Sequence, residues 1–175
     1  MKKIIRVSIV VLLLNLILSY PSLAAPHLRN SVGAGYKDDR ISLAARFELQ
    51  SGFAFDVGVM VNTSGYSDVN DYSCPHGDYK ILDDAYPGMT IGVDALKLIN
   101  LSPAVVLYGG IGVYFCEEWE IVRSNATGWL YRQNPDSKVA PTYSAGVKFQ
   151  GEAPRGVSFG YHSIRGANIM LEIRL

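Results

Sequence analysis

The stretch "ISLAARFEL" (residues 41–49) decides the fold class. Its odd-numbered positions are apolar, whereas its even-numbered positions carry small or charged side chains, including Arg46 and Glu48. Successive side chains of a β-strand point to opposite faces, so a repeat of two predicts a strand with one apolar and one polar face. Both charges lie on one face, and the surroundings of that face determine the kind of protein.

The same alternation recurs along the chain, with no helical periodicity of useful length in residues 25–175. Eight segments follow it: residues 31–37, 41–49, 53–62, 89–98, 104–115, 140–150, 156–162 and 168–175. Short turns ("QSG", "INLSP" and "GEAPR") lie at one end, and the long polar stretches 63–86 and 116–138 lie at the other. An antiparallel up-and-down barrel with this asymmetry is typical of outer membrane barrels.

The two faces of these strands differ in kind. One set of positions is apolar and holds no charge within the segments, while the other combines many Gly, Ala and Ser residues with charged ones. Small side chains suit the crowded inside of an eight-stranded barrel, so we expect the polar set inside and the apolar set in lipid. The inward charges are predicted to form salt bridges across neighbouring strands rather than a conduction path: Arg46, Glu48, Asp56, Asp94, Lys148, Glu172 and Arg174.

Aromatic side chains on the apolar face fall into two bands. Phe47, Phe53 and Phe149 lie near the turn end, and the other band near the loop end consists of Tyr36, Tyr86, Phe115 and Tyr161. Two bands separated by aliphatic residues are typical of membrane interfaces. The sequence therefore predicts an all-β fold, an eight-stranded antiparallel up-and-down transmembrane β-barrel. A soluble periplasmic barrel of the lipocalin type is the alternative.

The amino-terminal segment predicts export. Residues 1–24 combine a basic start, a short apolar run and small residues before Ala25, which is the pattern of a cleaved signal peptide. A single membrane anchor is the alternative, but the run is shorter than the ~20 residues that a spanning helix needs. Removing these residues takes away three of the 16 basic side chains and no acidic one, which leaves 25–175 as one barrel domain of net charge −3. That charge argues against nucleic acid as a partner.

The last eight residues, "NIMLEIRL" (Asn168–Leu175), repeat the alternation to the end of the sequence. With this strand in place, the chain resembles the small eight-stranded outer membrane β-barrel proteins, the group of the outer membrane protein A barrel and its adhesin-like, porin-like relatives. The strand is similar to the signal read by the barrel assembly machinery, although Leu175 replaces the usual terminal aromatic residue. The resemblance implies a multi-pass protein of the bacterial outer membrane, with membrane lipids, lipopolysaccharide and that machinery as partners and no cofactor.

Two further features are candidate sites. His162 and Ser163 are adjacent in "GYHSIRG" and are weak candidates for the base and nucleophile of a lipid A or phospholipid acyl hydrolase. On a continued strand they would point to opposite faces, so an inward His and a turn Ser are the simpler interpretation. Cys74 and Cys116 are an even pair in an exported chain and predict one disulfide. Cys74 begins a Cys-x-His-x-Asp pattern without a second ligand pair, so no metal site is predicted.

The long loop 116–138 carries Trp119, Trp129 and Tyr131, which are candidate contacts for a host or surface ligand. They are equally compatible with packing on the other loops or with entry into the lipopolysaccharide layer. The sequence thus predicts a non-enzymatic outer membrane barrel that contributes to envelope integrity or to surface interactions such as adhesion and serum resistance. An acyl hydrolase and a narrow pore are the alternatives.

Overall fold

The computed structural model describes residues 29–63, 65–66, 68–75, 77–151 and 156–173. Within these residues the chain forms nine strands and no helix that could span a membrane. The strands are β1 (Arg29–Lys37), β2 (Arg40–Glu48), β3 (Phe53–Asn62), β4 (Val69–Asn70), β5 (Tyr79–Ser102), β6 (Val105–Ser124), β7 (Leu130–Gln150), β8 (Gly156–His162) and β9 (Gly166–Ile173). The predicted signal peptide (residues 1–24), Arg174 and Leu175 lie outside the described residues.

Eight of these strands close into a ring. Each pairs antiparallel with the next in the order β1-β2-β3-β5-β6-β7-β8-β9, and β9 pairs with β1 from Asn30–Ile173 to Tyr36–Ala167. The two-residue β4 lies outside the ring and pairs parallel with the start of β7. Closure leaves no unpaired sheet edge around the ring, which is the condition for a β-structure to cross lipid. The predicted eight-stranded up-and-down barrel is confirmed.

The distribution of polarity is the reverse of that in a water-soluble protein. The buried positions include Arg46, Glu48, Asp56, Asp94, Lys148 and Glu172. The exposed large side chains of the ring are mostly aliphatic or aromatic, among them Val32, Leu43, Phe55, Val93, Ile111, Val113, Phe159, Ile169 and Leu171. Such an outer surface is stable only against hydrocarbon, so the barrel is of the transmembrane type.

Three strands continue far beyond the ring at the loop end. β3 stays paired with β5 only up to Thr90, and β8 meets β7 only from Ser144 onward. Above these points, residues 79–89 of β5, 116–124 of β6 and 130–142 of β7 form an antiparallel sheet with β4 at its edge. We call this sheet the extension. At ~3.4 Å per residue, its central strand rises roughly 30 Å.

The extension corrects the prediction that residues 63–86 and 116–138 are long loops. Charged side chains occur at both parities there, as in the run from Glu117 to Glu120, so the repeat of two is lost. Outside lipid neither face of a strand has to be apolar, and pairing alone holds the backbone. Tyr86 is also misassigned to the upper aromatic band, because it pairs with Trp119 in the extension and packs on Tyr66 at 5.7 Å between ring centroids.

Candidate functional site

A buried lysine organises the interior at the turn end of the barrel. Lys148 on β7 lies 2.6 Å from Glu48 on β2 and 2.9 Å from Glu172 on β9. The partly exposed Arg29 approaches Glu172 at 3.9 Å. None of these strands is adjacent to β7, so Lys148 bridges across the lumen. The prediction that the inward charges pair across neighbouring strands is therefore wrong for Lys148.

Higher in the lumen, Asp56 is shared by two guanidinium groups. Arg46 donates from Nε at 2.7 Å and from Nη2 at 3.0 Å, and these two residues are direct partners on β2 and β3, as expected for neighbouring strands. Arg165, in the turn between β8 and β9, reaches down to donate from Nη2 at 3.2 Å. Charge-assisted bonds of this kind stabilise a buried carboxylate that would otherwise be costly.

Asp94 is the second buried acceptor of the lumen. Its carboxylate receives hydrogen bonds from Thr142 Oγ1 at 2.6 Å and from the Tyr114 hydroxyl at 3.1 Å. His162 Nε2 lies 3.0 Å away, and Arg165 Nη2 lies 3.6 Å away. Arg165 therefore lies between Asp56 and Asp94 and joins the two acceptors into one network.

Large side chains fill the space around this network. Those that are almost fully buried include Arg46, Met60, Leu96, Tyr114, Lys148, His162, Arg165 and Met170. Glycine makes room for them: a Cβ at Gly58 would lie 2.5 Å from the Tyr114 hydroxyl and 2.8 Å from Arg165 Cδ. A lumen packed in this way serves as a core, and its tight packing opposes the narrow-pore alternative.

The extension separates the three aromatic candidates of the loop. Tyr131 is only 2% exposed and meets Tyr72 edge-on at 5.5 Å. Trp119 is half-buried beneath the Arg132 guanidinium, which lies 5.0 Å from its ring and pairs with Asp71. Trp129 is 60% exposed at the tip between β6 and β7. Only Trp129 is thus presented to a partner.

Two titratable groups of the extension respond to their surroundings. Burial raises the pKa of the Tyr86 phenol. The Glu118 carboxylate accepts a hydrogen bond from Lys138 at 2.6 Å and raises the pKa of that ammonium. Raised pKa values keep the Tyr86 phenol protonated and uncharged, and the Lys138 side chain protonated and charged, at neutral pH.

Comparison with known proteins finds distant similarity to solved structures. No family model and no curated protein matches the chain. Among solved structures, Ail of Yersinia pestis, the attachment invasion locus protein, is 16% identical with a TM-score of 0.48, over 83% of this chain and 93% of that one. Neisserial surface protein A is 11% identical with a TM-score of 0.44, over 85% and 94%. A de novo designed transmembrane β-barrel is 15% identical with a TM-score of 0.46, over 84% and 92%.

The fold is that of the small eight-stranded outer membrane barrels. This assignment follows from the closed ring of eight strands and its apolar outer surface. Because one fold can carry many functions, the function has to be sought in particular side chains.

Within this barrel, the geometry of His162 opposes the hydrolase alternative. Its Nδ1 accepts hydrogen bonds from the backbone N–H groups of Ile164 at 3.1 Å and Arg165 at 3.0 Å. The ring proton therefore lies on Nε2 and is donated to Asp94 in the lumen. Ser163 lies on the opposite side, where its hydroxyl accepts the Tyr143 N–H at 3.2 Å. A nucleophile needs a base within hydrogen-bond reach, and both nitrogens of this ring are engaged elsewhere.

The predicted disulfide between Cys74 and Cys116 is not formed in the structure. The backbone N–H of Cys74 bonds the side chain of Gln133, which pairs with Glu120, four residues farther along β6 than Cys116. The backbone of Cys74 is thus held by a side chain of β7, whereas Cys116 lies on β6. Among the described residues there is also no group of three or more side chains able to hold a metal ion.

The interior residues predicted from the sequence did not include Tyr108, Tyr114 or Arg165, which are buried. Tyr108 and Tyr114 share the parity of Gly110 and Gly112 on β6, and this pattern of large residues beside glycines is a signal that could have placed them inside. Arg165 lies in a turn, where the repeat of two ends. No periodic signal could have assigned its side chain to the lumen.

Proposed function

We propose that this protein is a non-enzymatic barrel of the bacterial outer membrane that acts in surface interaction, of which adhesion is the simplest form, through its extension. The observation that carries the proposal is the continuation of β5, β6 and β7 into a sheet that rises above the ring. A barrel that served only to span lipid would need no such sheet. The apolar belt supplies the contact with membrane lipids and lipopolysaccharide.

The side-chain contacts within the extension support a role in presenting a binding surface. Its sheet is braced by side chains from the segment between β3 and β5, including Asp71 on Arg132 and Tyr72 on Tyr131. Glu118 and Lys138 pair across its two central strands. A surface that is ordered before binding loses little conformational entropy when a partner arrives.

The alternatives have less support. Acyl hydrolysis requires Ser163 to be activated by His162, whose two ring nitrogens are engaged with other groups. A pore requires an open lumen, which Arg46, Tyr114 and Arg165 occupy. Recognition of Asn168–Leu175 by the barrel assembly machinery stays a prediction.

Shortening one hairpin tests the proposal. Cys116 and Lys138 are direct partners, so replacing residues 117–137 with Asn-Gly lets a two-residue turn close the strands. We expect this variant to fractionate with the outer membrane and to keep its heat-dependent gel mobility, because the ring is untouched. Adhesion of expressing bacteria to cultured epithelial cells should fall to the level of cells without the protein.

The matched control alters the same end of the barrel without touching the extension. Asp38 and Asp39 form the β1–β2 turn with φ of 49° and 55°, which Asn-Gly adopts readily. Asp38→Asn/Asp39→Gly should leave adhesion unchanged. Undiminished adhesion of the shortened variant would remove the proposed function.

A further inference from the structure

A cavity of about 400 Å³ opens at the tip of the extension. It is lined by Asp68, Asn70, Gly128, Trp129 and Leu130. Two parts of the chain far apart in sequence build it, namely the segment leading into β4 and the turn between β6 and β7. Their parallel pairing, Val69 with Leu130 and Asn70 with Tyr131, fixes the two walls relative to each other.

Trp129 is held as a platform in this cavity. Its carbonyl accepts the Ser124 N–H at 3.0 Å, and its own N–H donates to Thr127 Oγ1 at 3.3 Å. Gly128 N–H donates to the Ser124 carbonyl at 2.9 Å and closes the turn. The backbone is thus fixed on both sides of an indole that remains 60% exposed. An indole that is fixed in place and exposed offers a flat apolar contact surface to a ligand.

Two polar side chains share the cavity with the indole. Asn70 Nδ2 donates to the Leu130 carbonyl at 3.0 Å, which fixes the amide and leaves its oxygen as an acceptor. Asp68 is exposed and makes no hydrogen bond or ion pair with the described part of the chain. The cavity therefore combines a flat apolar surface with a carboxylate and an amide.

We propose that the tip cavity binds a neutral sugar unit of a glycan. An indole stacks on the C–H face of a sugar ring, while the carboxylate and the amide oxygen accept hydrogen bonds from its hydroxyl groups. The Asp68 carboxylate repels sialylated and sulfated sugars. The cavity lies low in the ~300–1,000 Å³ range of small-ligand sites, which suits one or two sugar units. This inference rests on the proposed function and names its ligand class.

The test uses the full chain folded in lipid nanodiscs on an array of neutral, sialylated and sulfated glycans. Neutral glycans should be retained, and titration with the free form of the best-retained glycan should change the tryptophan fluorescence. Trp129→Ala should weaken binding about tenfold, in line with the loss of one stacking surface. Trp129→Phe should keep most of the affinity, because it preserves an aromatic face.

Ile81→Ala is the matched control, since Ile81 is a 50% exposed apolar residue of the extension that does not line the cavity. It should bind like the unaltered protein. Retention of only charged glycans, retention of none, or equal affinity of Trp129→Ala would overturn the inference. The array uses purified protein, so a negative array beside extension-dependent adhesion removes the sugar site and leaves the proposed function standing.

Discussion

Replacing Asp56 with Asn tests the interior charge network at the carboxylate that two guanidinium groups share. Asp56 is fully buried and accepts from Arg46 at 2.7 and 3.0 Å and from Arg165 at 3.2 Å. Asn keeps the shape and removes the charge, so Arg46 loses its counter-ion while Arg165 keeps Asp94 at 3.6 Å. Breaking a buried ion pair from one side costs ~3–5 kcal/mol. That is a large part of the ~5–15 kcal/mol that holds a typical domain folded.

Urea unfolding of the barrel in phospholipid vesicles measures this loss, with tryptophan fluorescence and gel mobility as independent readouts. Arg29→Gln is the control, because Arg29 is 41% exposed and 3.9 Å from Glu172, where an ion pair contributes less than ~1 kcal/mol. The double variant Arg46→Met/Asp56→Asn also removes the unpaired guanidinium of Arg46. It should recover ~1–3 kcal/mol of the stability that Asp56→Asn loses. If Asp56→Asn costs no more than Arg29→Gln, the network does not stabilise the barrel.

Two further substitutions address the packing and the hydrolase alternative. Gly58→Ala should cost ~1–3 kcal/mol in the same urea series, since the new methyl group meets Tyr114 and Arg165. Gly77→Ala, where a Cβ would meet nothing within 4 Å, should change stability little, and equal effects at the two sites would contradict the packing argument. Ser163→Ala should leave the acyl pattern of lipid A, read by mass spectrometry, identical to that of cells expressing the unaltered protein; a difference in acyl number would restore the hydrolase.

The ring could be predicted from the sequence because lipid and lumen impose opposite polarity on alternate residues. β3 and β8 begin and end where the alternation does, and β1 and β2 deviate by at most two residues. The same constraint assigned Asp56 and Asp94 to the interior. Lipid imposes this alternation, so the pattern is lost in the residues that lie outside the membrane.

The partners of the interior charges and the extension could not be predicted. Periodicity shows which face of a strand a side chain lies on, but not which residues across the barrel it contacts. Alternation places Lys148 inside but does not say that its side chain spans a narrow lumen to carboxylates on two strands that are not its neighbours. In the extension, which lies outside lipid, polar and apolar residues do not have to alternate, so its strands leave no periodic pattern. The tip cavity depends on a parallel pairing between β4 and β7, which no local pattern in either segment encodes.

The pairing of β1 with β9 has a consequence for the order of assembly. Asn30 meets Ile173 across nearly the whole described chain, and bringing two such distant residues together in a free chain costs about 4 kcal/mol in loop-closure entropy. Each hairpin that forms between β1 and β9 shortens the effective loop. The entropy cost of pairing these two strands therefore falls as more hairpins form. We therefore expect the seam between β1 and β9 to form last, and until then both strands carry open edges that a catalyst of insertion could hold.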